Sequence, residues 1–348
     1  MRGVSRRGRG LQVAVLYLLG VTITLVICLN AEKIAQVFGV IDFPDTGRKL
    51  HKEPTPLVGG LAALVPWSLT IALIGLHSDD PARYLALSVV VFSLFMIGFL
   101  DDRSHVEAKI RLIVSFAVCL LAVVPVQAFL VADLSFAVAR LELPLPLLVA
   151  IPFTLLALVG LMNAVNMADG INGVAIGTMT IWCLVLSFYA GTETQLLLVS
   201  LAISLAVVLV FNLRNRLFLG DSGAYALSVG IGLIAISCYN APVRPMPAEL
   251  LVLLFLVPVL DCVRMIVYRI RQRRSPFSAD RRHLHHILAS WMPWRYGLMV
   301  YLGFIALPNA IAIAAPDAAF PMILTTLLIY VLLVHVLGKR SVKQAQSA

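Results

Sequence analysis

Four polar clusters interrupt the apolar runs of this 348-residue chain, and each holds side chains that could do chemistry. They read GFLDDR at 98–103, NAVNMADGING at 163–173, FLGDSG at 218–223 and DRRHLHH at 280–286. A charged side chain at the centre of a bilayer costs ~2.5–3.5 kcal/mol even on insertion scales, so carboxylates beside membrane segments indicate function first. The clusters therefore predict a polar site built from separate parts of the chain.

The chemistry follows from the residue types. The clusters hold four carboxylates, at Asp101, Asp102, Asp169 and Asp221. Two like charges ~4 Å apart repel by ~4 kcal/mol at an effective dielectric of about 20, so such a group requires a bound cation. Carboxylate and amide oxygens from separate loops suit Mg²⁺, which keeps waters and borrows substrate phosphates, with Mn²⁺ as a substitute. The histidines and arginines suit phosphate oxygens. The sequence therefore predicts a metal-dependent site for a phosphorylated substrate, next to lipid.

Each cluster also has a structural interpretation. Asp169, its asparagine neighbours and Asp221 could cap helices, because Asn and Asp favour N-caps. The DDR run could be a solvated helix end with Arg103 as the partner. Three histidines within four positions, beside two arginines, favour function over a surface run.

Composition predicts that membrane-spanning helices carry these clusters. The chain is 60% hydrophobic and 13% charged, with a mean hydropathy of +0.95, well above a soluble domain. Runs of ~20 apolar residues are long enough to cross a bilayer as helices. The predicted fold class is all-α, a polytopic integral membrane protein with about eleven transmembrane helices. The predicted spans are 11–29, 58–76, 84–100, 110–131, 144–162, 174–190, 195–212, 222–238, 248–268, 297–314 and 319–337.

The domain organisation is predicted to be simple. Residues 1–10 form an Arg-rich tail, 11–337 a single transmembrane catalytic domain, and 338–348 a short cytoplasmic tail. The five cysteines lie in apolar runs without metal-type spacing, which favours buried free thiols.

The distribution of Lys and Arg predicts the orientation. With loop 30–57 in the cytoplasm and the spans alternating, that side holds 20 of the 27 Lys and Arg residues, as the positive-inside rule requires. The N-terminal tail goes against the rule, because four arginines then lie outside. Every polar cluster falls on the cytoplasmic side, which predicts a cytoplasmic-face active site.

These motifs, with RKLH at 48–51 and PTPLVGG at 54–60, resemble the polyprenyl-phosphate N-acetylhexosamine-1-phosphate transferases, especially the bacterial undecaprenyl-phosphate N-acetylglucosamine-1-phosphate type of glycosyltransferase family 4. The resemblance covers nearly the whole chain, with the motifs in the family's order. It implies a fold of ten or eleven helices and a bacterial inner membrane location. It also implies Mg²⁺-dependent transfer of a sugar-1-phosphate from a UDP-sugar to undecaprenyl phosphate, with release of UMP.

The resemblance also implies roles for matching residues. Asp101 and Asp102 match paired carboxylates at the metal and the lipid phosphate, and Asp221 matches the principal Mg²⁺ ligand. The catalytic set implied is Asp101, Asp102, Asp169, His283 and His285, with the two histidines at the donor phosphates. The metal set is Asp221, Asp102 and Asn166. The predicted substrate-binding set is Lys49, His51, Asn163, Asn166, Asn172, Asn212, Arg281, Arg282 and His286.

One position departs from the commoner bacterial pattern. Many bacterial members carry a second Asp in DGxDG, whereas this chain has Asn172. We predict that the Asn172 carboxamide reads the uracil edge, because it can donate and accept a hydrogen bond and stays neutral. The same cluster predicts that the preceding helix stops at Asn163, where a turn lays the polar groups along a cleft.

The predicted function is the start of a lipid-linked cell-envelope polysaccharide such as lipopolysaccharide. Two alternatives are the phospho-N-acetylmuramoyl-pentapeptide transferase of peptidoglycan synthesis and, from another class, a membrane transporter. A transporter would carry its charges near the midplane, often with internal repeats, whereas these lie at helix ends. The sugar, the pathway and the oligomeric state stay open, with a homodimer as one option. The expected partners are undecaprenyl phosphate, a UDP-sugar and membrane lipid, with no nucleic acid.

Overall fold

The computed structural model describes residues 6–44, 53–240, 246–278 and 280–346. Within these ranges the chain is almost entirely helical, in agreement with the predicted fold class. The α-helices are α1 (Arg6–Leu29), α2 (Ala31–Phe38), α3 (Gly59–Gly75), α4 (Pro81–Ser104), α5 (Ala108–Val123), α6 (Leu147–Ala168), α7 (Val174–Tyr189), α8 (Thr192–Leu213), α9 (Gly220–Tyr239), α10 (Ala248–Arg271), α11 (Leu284–Trp291), α12 (Trp294–Ala314) and α13 (Ala319–Gln346).

Each of the eleven predicted spans coincides with one of these helices, and the short helices α2 and α11 are additional. In the described part of the chain, eight helices are long and apolar enough to cross a membrane, and α3 and α7 are shorter apolar helices. The number of spans stays a prediction, since these criteria are length and composition alone. Helix α1 begins at Arg6, inside the predicted tail, and α13 continues past the predicted boundary at 337.

Two boundaries differ from the prediction. The predicted span 110–131 is too long, because α5 ends at Val123, shortly before Pro125, which has no N–H with which to continue a helix. Helix α6 does not stop at Asn163 but continues to Ala168. It continues because the asparagine Nδ2 donates to the Val159 carbonyl one turn earlier, at 2.7 Å, and the next two residues are buried apolar ones.

Four short strands form two antiparallel hairpins. Strands β1 (Ile41–Asp42) and β2 (Thr55–Pro56) pair near the polar clusters. Strands β3 (Asp133–Phe136) and β4 (Leu141–Pro144) pair in the connection between α5 and α6. The second hairpin is held by α10, because the Glu249 carboxylate accepts the N–H groups of Ala137 and Val138 at 3.2 and 3.1 Å.

Helix α9 is the centre of the bundle. It packs against α3, α4, α6 and α7, and its whole apolar window lies inside the protein. Glycines allow the close approach: a Cβ at Gly60 of α3 or Gly98 of α4 would collide with the α9 backbone at Gly223 or Ser222. This packing fixes the first turn of α9, which carries Asp221, against two neighbouring helices.

The five cysteines are free and buried, as predicted.

Candidate active site

One cavity of about 1990 Å³ collects most of the predicted residues. Its walls come from the ends of α4, α6, α8 and α10, the start of α9, and residues 280–283, the segment before α11. The predicted residues that line it are Asp101, Asp102, Asn163, Asn166, Asp169, Asn172, Asn212, Asp221, Arg281, Arg282, His283 and His286. The alternation of spans therefore correctly predicted that the clusters meet at one end of the bundle. Lys49 and His51 lie outside the described residues.

Asp102 caps helix α9. Its Oδ1 accepts the backbone N–H of Asp221 at 2.7 Å, and its Oδ2 accepts that of Ser222 at 3.1 Å. Gly220 precedes them with φ +77°, and a Cβ there would lie 2.7 Å from the Asp102 Oδ2. Glycine adopts this conformation without strain and leaves room for the carboxylate. The cap brings the two carboxyl groups to the same wall.

Asp101 faces a different set of partners. Its carboxylate accepts hydrogen bonds from Arg111 Nη1 at 2.6 Å, the Tyr225 hydroxyl at 2.8 Å and the Val106 N–H at 2.8 Å. The residue is buried. The predicted alternative of a solvated helix end paired with Arg103 is therefore wrong: the cation partner is Arg111, on the next helix. The motifs did not predict Arg111 or Tyr225, whose hydrogen bonds stabilise the charge of Asp101.

Asn166 donates a hydrogen bond from its Nδ2 to Asp221 Oδ1. The donation leaves the Asn166 amide oxygen as an acceptor, while the Asp221 carboxyl also lies within hydrogen-bonding distance of the Asp101 carboxyl. Both residues line the cavity. An amide oxygen beside a carboxylate oxygen is a ligand pair that suits a hard cation.

Asp169 is the C-cap residue directly after helix α6. Among the described residues no donor is hydrogen-bonded to its carboxylate. Burial, and next the negative charge of Asp102, raise the pKa of Asp169 to about 8. Three carboxyl groups, at Asp102, Asp169 and Asp221, therefore lie on one wall with few compensating cations.

The three histidines take different positions. His283 and His286 line the cavity, whereas His285 does not. His285 is 1% exposed, stacks on His283 with ring centroids 5.4 Å apart and has no hydrogen bond at either ring nitrogen. Burial holds the pKa of His285 well below its usual range. The role of His283 and His285 at the donor phosphates stays a prediction, but of this predicted pair His283 lines the cavity and His285 does not.

The physical reason is helical periodicity. Helix α11 begins at Leu284, and residues three apart share a face of a helix. His283 and His286 therefore line the cavity together. His285 lies between Gly170, where a Cβ would be 2.7 Å from its Nε2, and Tyr301, whose ring centroid is 6.4 Å away. Burial and nearby positive charge lower the pKa of His286 to about 4, so its imidazole is neutral near pH 7.

An amide network joins the α6–α7 loop to the α8–α9 loop. Asn172 Nδ2 donates to Asn215 Oδ1 at 2.6 Å, and Asn212 Nδ2 reaches Asn172 Oδ1 at 3.4 Å. Asn212 also accepts the Gly173 N–H at 2.8 Å, and the Trp294 indole donates to the Asn172 carbonyl at 2.9 Å. The uracil-reading role of Asn172 stays a prediction. Its carboxamide retains one N–H and one lone pair for a ligand.

Cations occupy other parts of the cavity lining. The arginines that line it, besides Arg103 and Arg111, are Arg214, Arg216, Arg269, Arg274, Arg281 and Arg282. Arg282 lies over the Tyr268 ring, 4.6 Å from its centroid. The cavity thus presents clustered carboxylates together with eight guanidinium groups, which is the arrangement expected for a metal and phosphate groups bound together.

Comparison with known proteins agrees with the motifs. Residues 84–239 match the model of glycosyl transferase family 4, and this segment contains Asp101, Asp102, Asn166, Asp169 and Asp221. The histidine segment and helices α10 to α13 lie outside the match.

Named relatives are similar over most of the chain. A probable undecaprenyl-phosphate N-acetylglucosaminyl 1-phosphate transferase of Bacillus subtilis is 27% identical over 313 residues, 88% of this chain and 86% of its own. The undecaprenyl-phosphate alpha-N-acetylglucosaminyl 1-phosphate transferase of Escherichia coli K12 is 28% identical over 298 residues, 82% and 77% of the two chains. The relative of the same name from Yersinia pestis is 26% identical over 298 residues, 82% and 78%. The resemblance predicted from the motifs is confirmed.

Proposed function

We propose that this chain is a membrane transferase that moves N-acetylglucosamine-1-phosphate from its UDP-sugar to undecaprenyl phosphate and releases UMP. The names of the relatives from Bacillus subtilis and Escherichia coli support this acceptor and this sugar. The product would start a lipid-linked cell-envelope polysaccharide. The observation that carries the proposal is the single cavity in which Asp102, Asp169 and Asp221 meet His286 and the arginines of the segment before α11.

The cavity suits an acceptor that is part lipid and part phosphate. It lies at the ends of helices whose outer faces are apolar, as shown by Leu100 and Ile110, which are 52% and 51% exposed beside the Asp101–Asp102 pair. A lipid phosphate can therefore reach the polar cavity while its hydrocarbon chain stays in the bilayer. The distribution of Lys and Arg supports a cytoplasmic cavity in a bacterial inner membrane.

A Mg²⁺ ion fits the acidic wall. The described residues contain no group of three or more His, Cys, Asp or Glu side chains arranged to hold a metal alone. Mg²⁺ does not need one, because it is usually bound by one or two carboxylates together with waters and substrate phosphates. Asp221 and the Asn166 amide oxygen would hold the ion, with Asp102 and the unpaired Asp169 carboxylate beside it. When bound, the ion would stabilise negative charge on the transferring phosphoryl group.

The chain's own residues would mainly position the two substrates. Phosphoryl transfer requires chiefly alignment and electrostatic stabilisation. An oxygen of the lipid phosphate forms a bond to the β-phosphorus of the UDP-sugar, the bond from that phosphorus to the bridging oxygen breaks, and UMP leaves. Arg281, Arg282 and the neutral His286 are placed to donate hydrogen bonds to donor phosphate oxygens. No side chain has to remove a proton, because a phosphate monoester is already largely ionised near pH 7.

The experiment is a donor panel with purified protein. We expect UMP release that requires undecaprenyl phosphate and a divalent cation, with UDP-N-acetylglucosamine as the best donor. Preference for UDP-MurNAc-pentapeptide would favour the peptidoglycan enzyme, and preference for another UDP-N-acetylhexosamine would change the sugar alone. Absence of UMP release with every donor would refute the proposal and revive the transporter alternative.

A further inference from the structure

Asp261 connects three elements next to residues 283–286, which carry the three histidines. It is 4% exposed on helix α10, and it is absent from the cavity lining. Its carboxylate accepts hydrogen bonds from His283 Nδ1 at 2.7 Å, the Tyr330 hydroxyl at 2.6 Å and Arg264 Nη2 at 2.7 Å. The Leu284 N–H lies 3.2 Å from both of its oxygens. One buried carboxylate thus holds α10, α13 and the start of α11 together.

The contact with Asp261 determines which nitrogen of the His283 ring carries hydrogen and how the ring is oriented. A carboxylate only accepts hydrogen bonds, so the ring nitrogen that faces it must carry hydrogen. The hydrogen bond at one ring nitrogen decides the role of the other. In the neutral ring, Nε2 then carries a lone pair and accepts from Arg269 Nη2, 3.3 Å away. His283 and Arg269, both on the cavity lining, are therefore oriented as one unit.

The C-terminal helix supports the same unit. The Tyr330 hydroxyl on α13 accepts a hydrogen bond from Arg264 Nε at 2.7 Å, besides donating to Asp261. Arg264 Nη2 also donates to the Arg282 carbonyl at 2.6 Å. Through these bonds α13 holds the backbone on which Arg282 and His283 lie.

We propose that Asp261 is a positioning residue for the transfer reaction, which acts by fixing the His283 ring and the segment before α11 against the cavity. This inference rests on the proposed function. Partners that orient a metal-bound histidine typically contribute about 10–100-fold to activity, and we expect an effect of the same order for a histidine oriented toward phosphate. Asp261→Asn is the sharpest probe, because it keeps the size of the side chain and removes the acceptor-only character.

In Asp261→Asn we expect kcat to fall by about 10–100-fold, with KM for the UDP-sugar near wild type, and the melting temperature to fall as well, because the partly buried Arg264 loses its charged partner. The matched control is Glu249→Gln, which changes another 4% exposed carboxylate of the same helix, far from the cavity. Glu249→Gln should keep wild-type kcat. If Glu249→Gln lowered kcat and melting temperature as much as Asp261→Asn, the effect would be general destabilisation and the proposal would be wrong.

A double-mutant cycle tests whether the effect passes through His283. Residues that act as one unit lose activity non-additively. We expect Asp261→Asn combined with His283→Ala to be no slower than the slower single variant. Additive losses would overturn the proposal. Normal kcat in Asp261→Asn would overturn it as well.

Tyr330→Phe keeps the proposal testable if Asp261→Asn fails to fold. Tyr330→Phe removes one donor to Asp261, and we expect it to lower kcat less than His283→Ala does. In protein that already carries His283→Ala, adding Tyr330→Phe should not lower kcat further. The control on α13 is Thr326→Val, since the Thr326 hydroxyl is buried without a hydrogen-bond partner. Equal losses in Tyr330→Phe and Thr326→Val would contradict the link. Inactive wild-type protein would instead count against the proposed function.

Discussion

Asp102 and Asp221 are joined through the backbone: the Asp102 Oδ1 accepts the Asp221 N–H at 2.7 Å, which caps helix α9. The Asp102 carboxylate thus fixes the backbone position from which the Asp221 side chain extends. Substitutions of the two residues should have different effects. Asp102 caps a helix, so its loss should affect stability as well as turnover, whereas Asp221 faces the cavity with Asn166 and its loss should affect turnover.

For the acidic wall, we predict that Asp221→Asn abolishes measurable turnover with little change in melting temperature. Loss of a key electrostatic contact in phosphoryl or acyl transfer typically costs ~10²–10³ in rate. Asp102→Asn should lose turnover and also stability, because a carboxamide can accept only one of the two α9 N–H groups, and a buried donor left unpaired costs ~1–3 kcal/mol. UMP release and thermal unfolding of the detergent-solubilised protein measure both.

The control for Asp102 is Asp80→Ala, which removes a cap at the start of α4, at the other end of the bundle. Asp80→Ala should lower the melting temperature without lowering kcat. Near-normal turnover of Asp221→Asn at low Mg²⁺ would contradict the assignment of Asp221.

For the histidines, the structure predicts opposite phenotypes. His286→Ala should lower kcat by ~10²-fold through loss of a donor to phosphate, with an unchanged melting temperature. His285→Ala should lower the melting temperature, because a ring that is 1% exposed leaves a void between His283 and Tyr301. Kinetics and thermal unfolding on the same preparations separate the two effects. An unstable His286→Ala and a stable, inactive His285→Ala would reverse the assignment.

For the asparagine network, we predict that Asn172→Ala raises KM for the UDP-sugar by an amount equivalent to ~1–3 kcal/mol, since a buried partner is left unpaired. Its dependence on Mg²⁺ should barely change. The control is Asn215→Gly, which removes the Asn172 partner and tolerates the φ of +55° at that position. UDP-sugar kinetics across a Mg²⁺ titration provide the measurement. Equal KM changes in both variants would show that Asn172 acts by holding the loop in place, and would contradict a hydrogen bond from Asn172 to the uracil.

For the topology, we predict that the cavity faces the cytoplasm and the β3–β4 hairpin faces the opposite side. In a background without the five native cysteines, Ser104→Cys should resist an impermeant maleimide in intact cells, and Glu142→Cys should react. Both should react after permeabilisation, which serves as the control. Labelling of Ser104→Cys in intact cells would contradict the orientation.

The sequence predicted the helices and the meeting of the polar clusters, because alternating apolar spans place every second loop on the same side. It could not predict most partners of the acids. Asp101 bonds to Tyr225, which is 124 residues away, and Asp261 bonds to Tyr330, which is 69 residues away. Such pairs depend on which helices pack together.

The sequence does contain information on two features of the site, the role of Asp261 and the position of His285. Asp261 interrupts the apolar run of a predicted span, which by itself indicates a functional or structural role. The different position of His285 follows from helical periodicity once α11 is known to begin at Leu284. The short length of α11, eight residues, kept it from being recognised among the spans.

The most direct test follows the phosphorus atom. Purified protein is given UDP-N-acetylglucosamine labelled with ³²P at the β-phosphate, together with undecaprenyl phosphate and Mg²⁺. We predict that the label moves into the lipid in a one-to-one ratio with released UMP, and that Asp221→Asn moves none. Sugar transfer with the label left in UDP, or a lipid fraction without label, would contradict it.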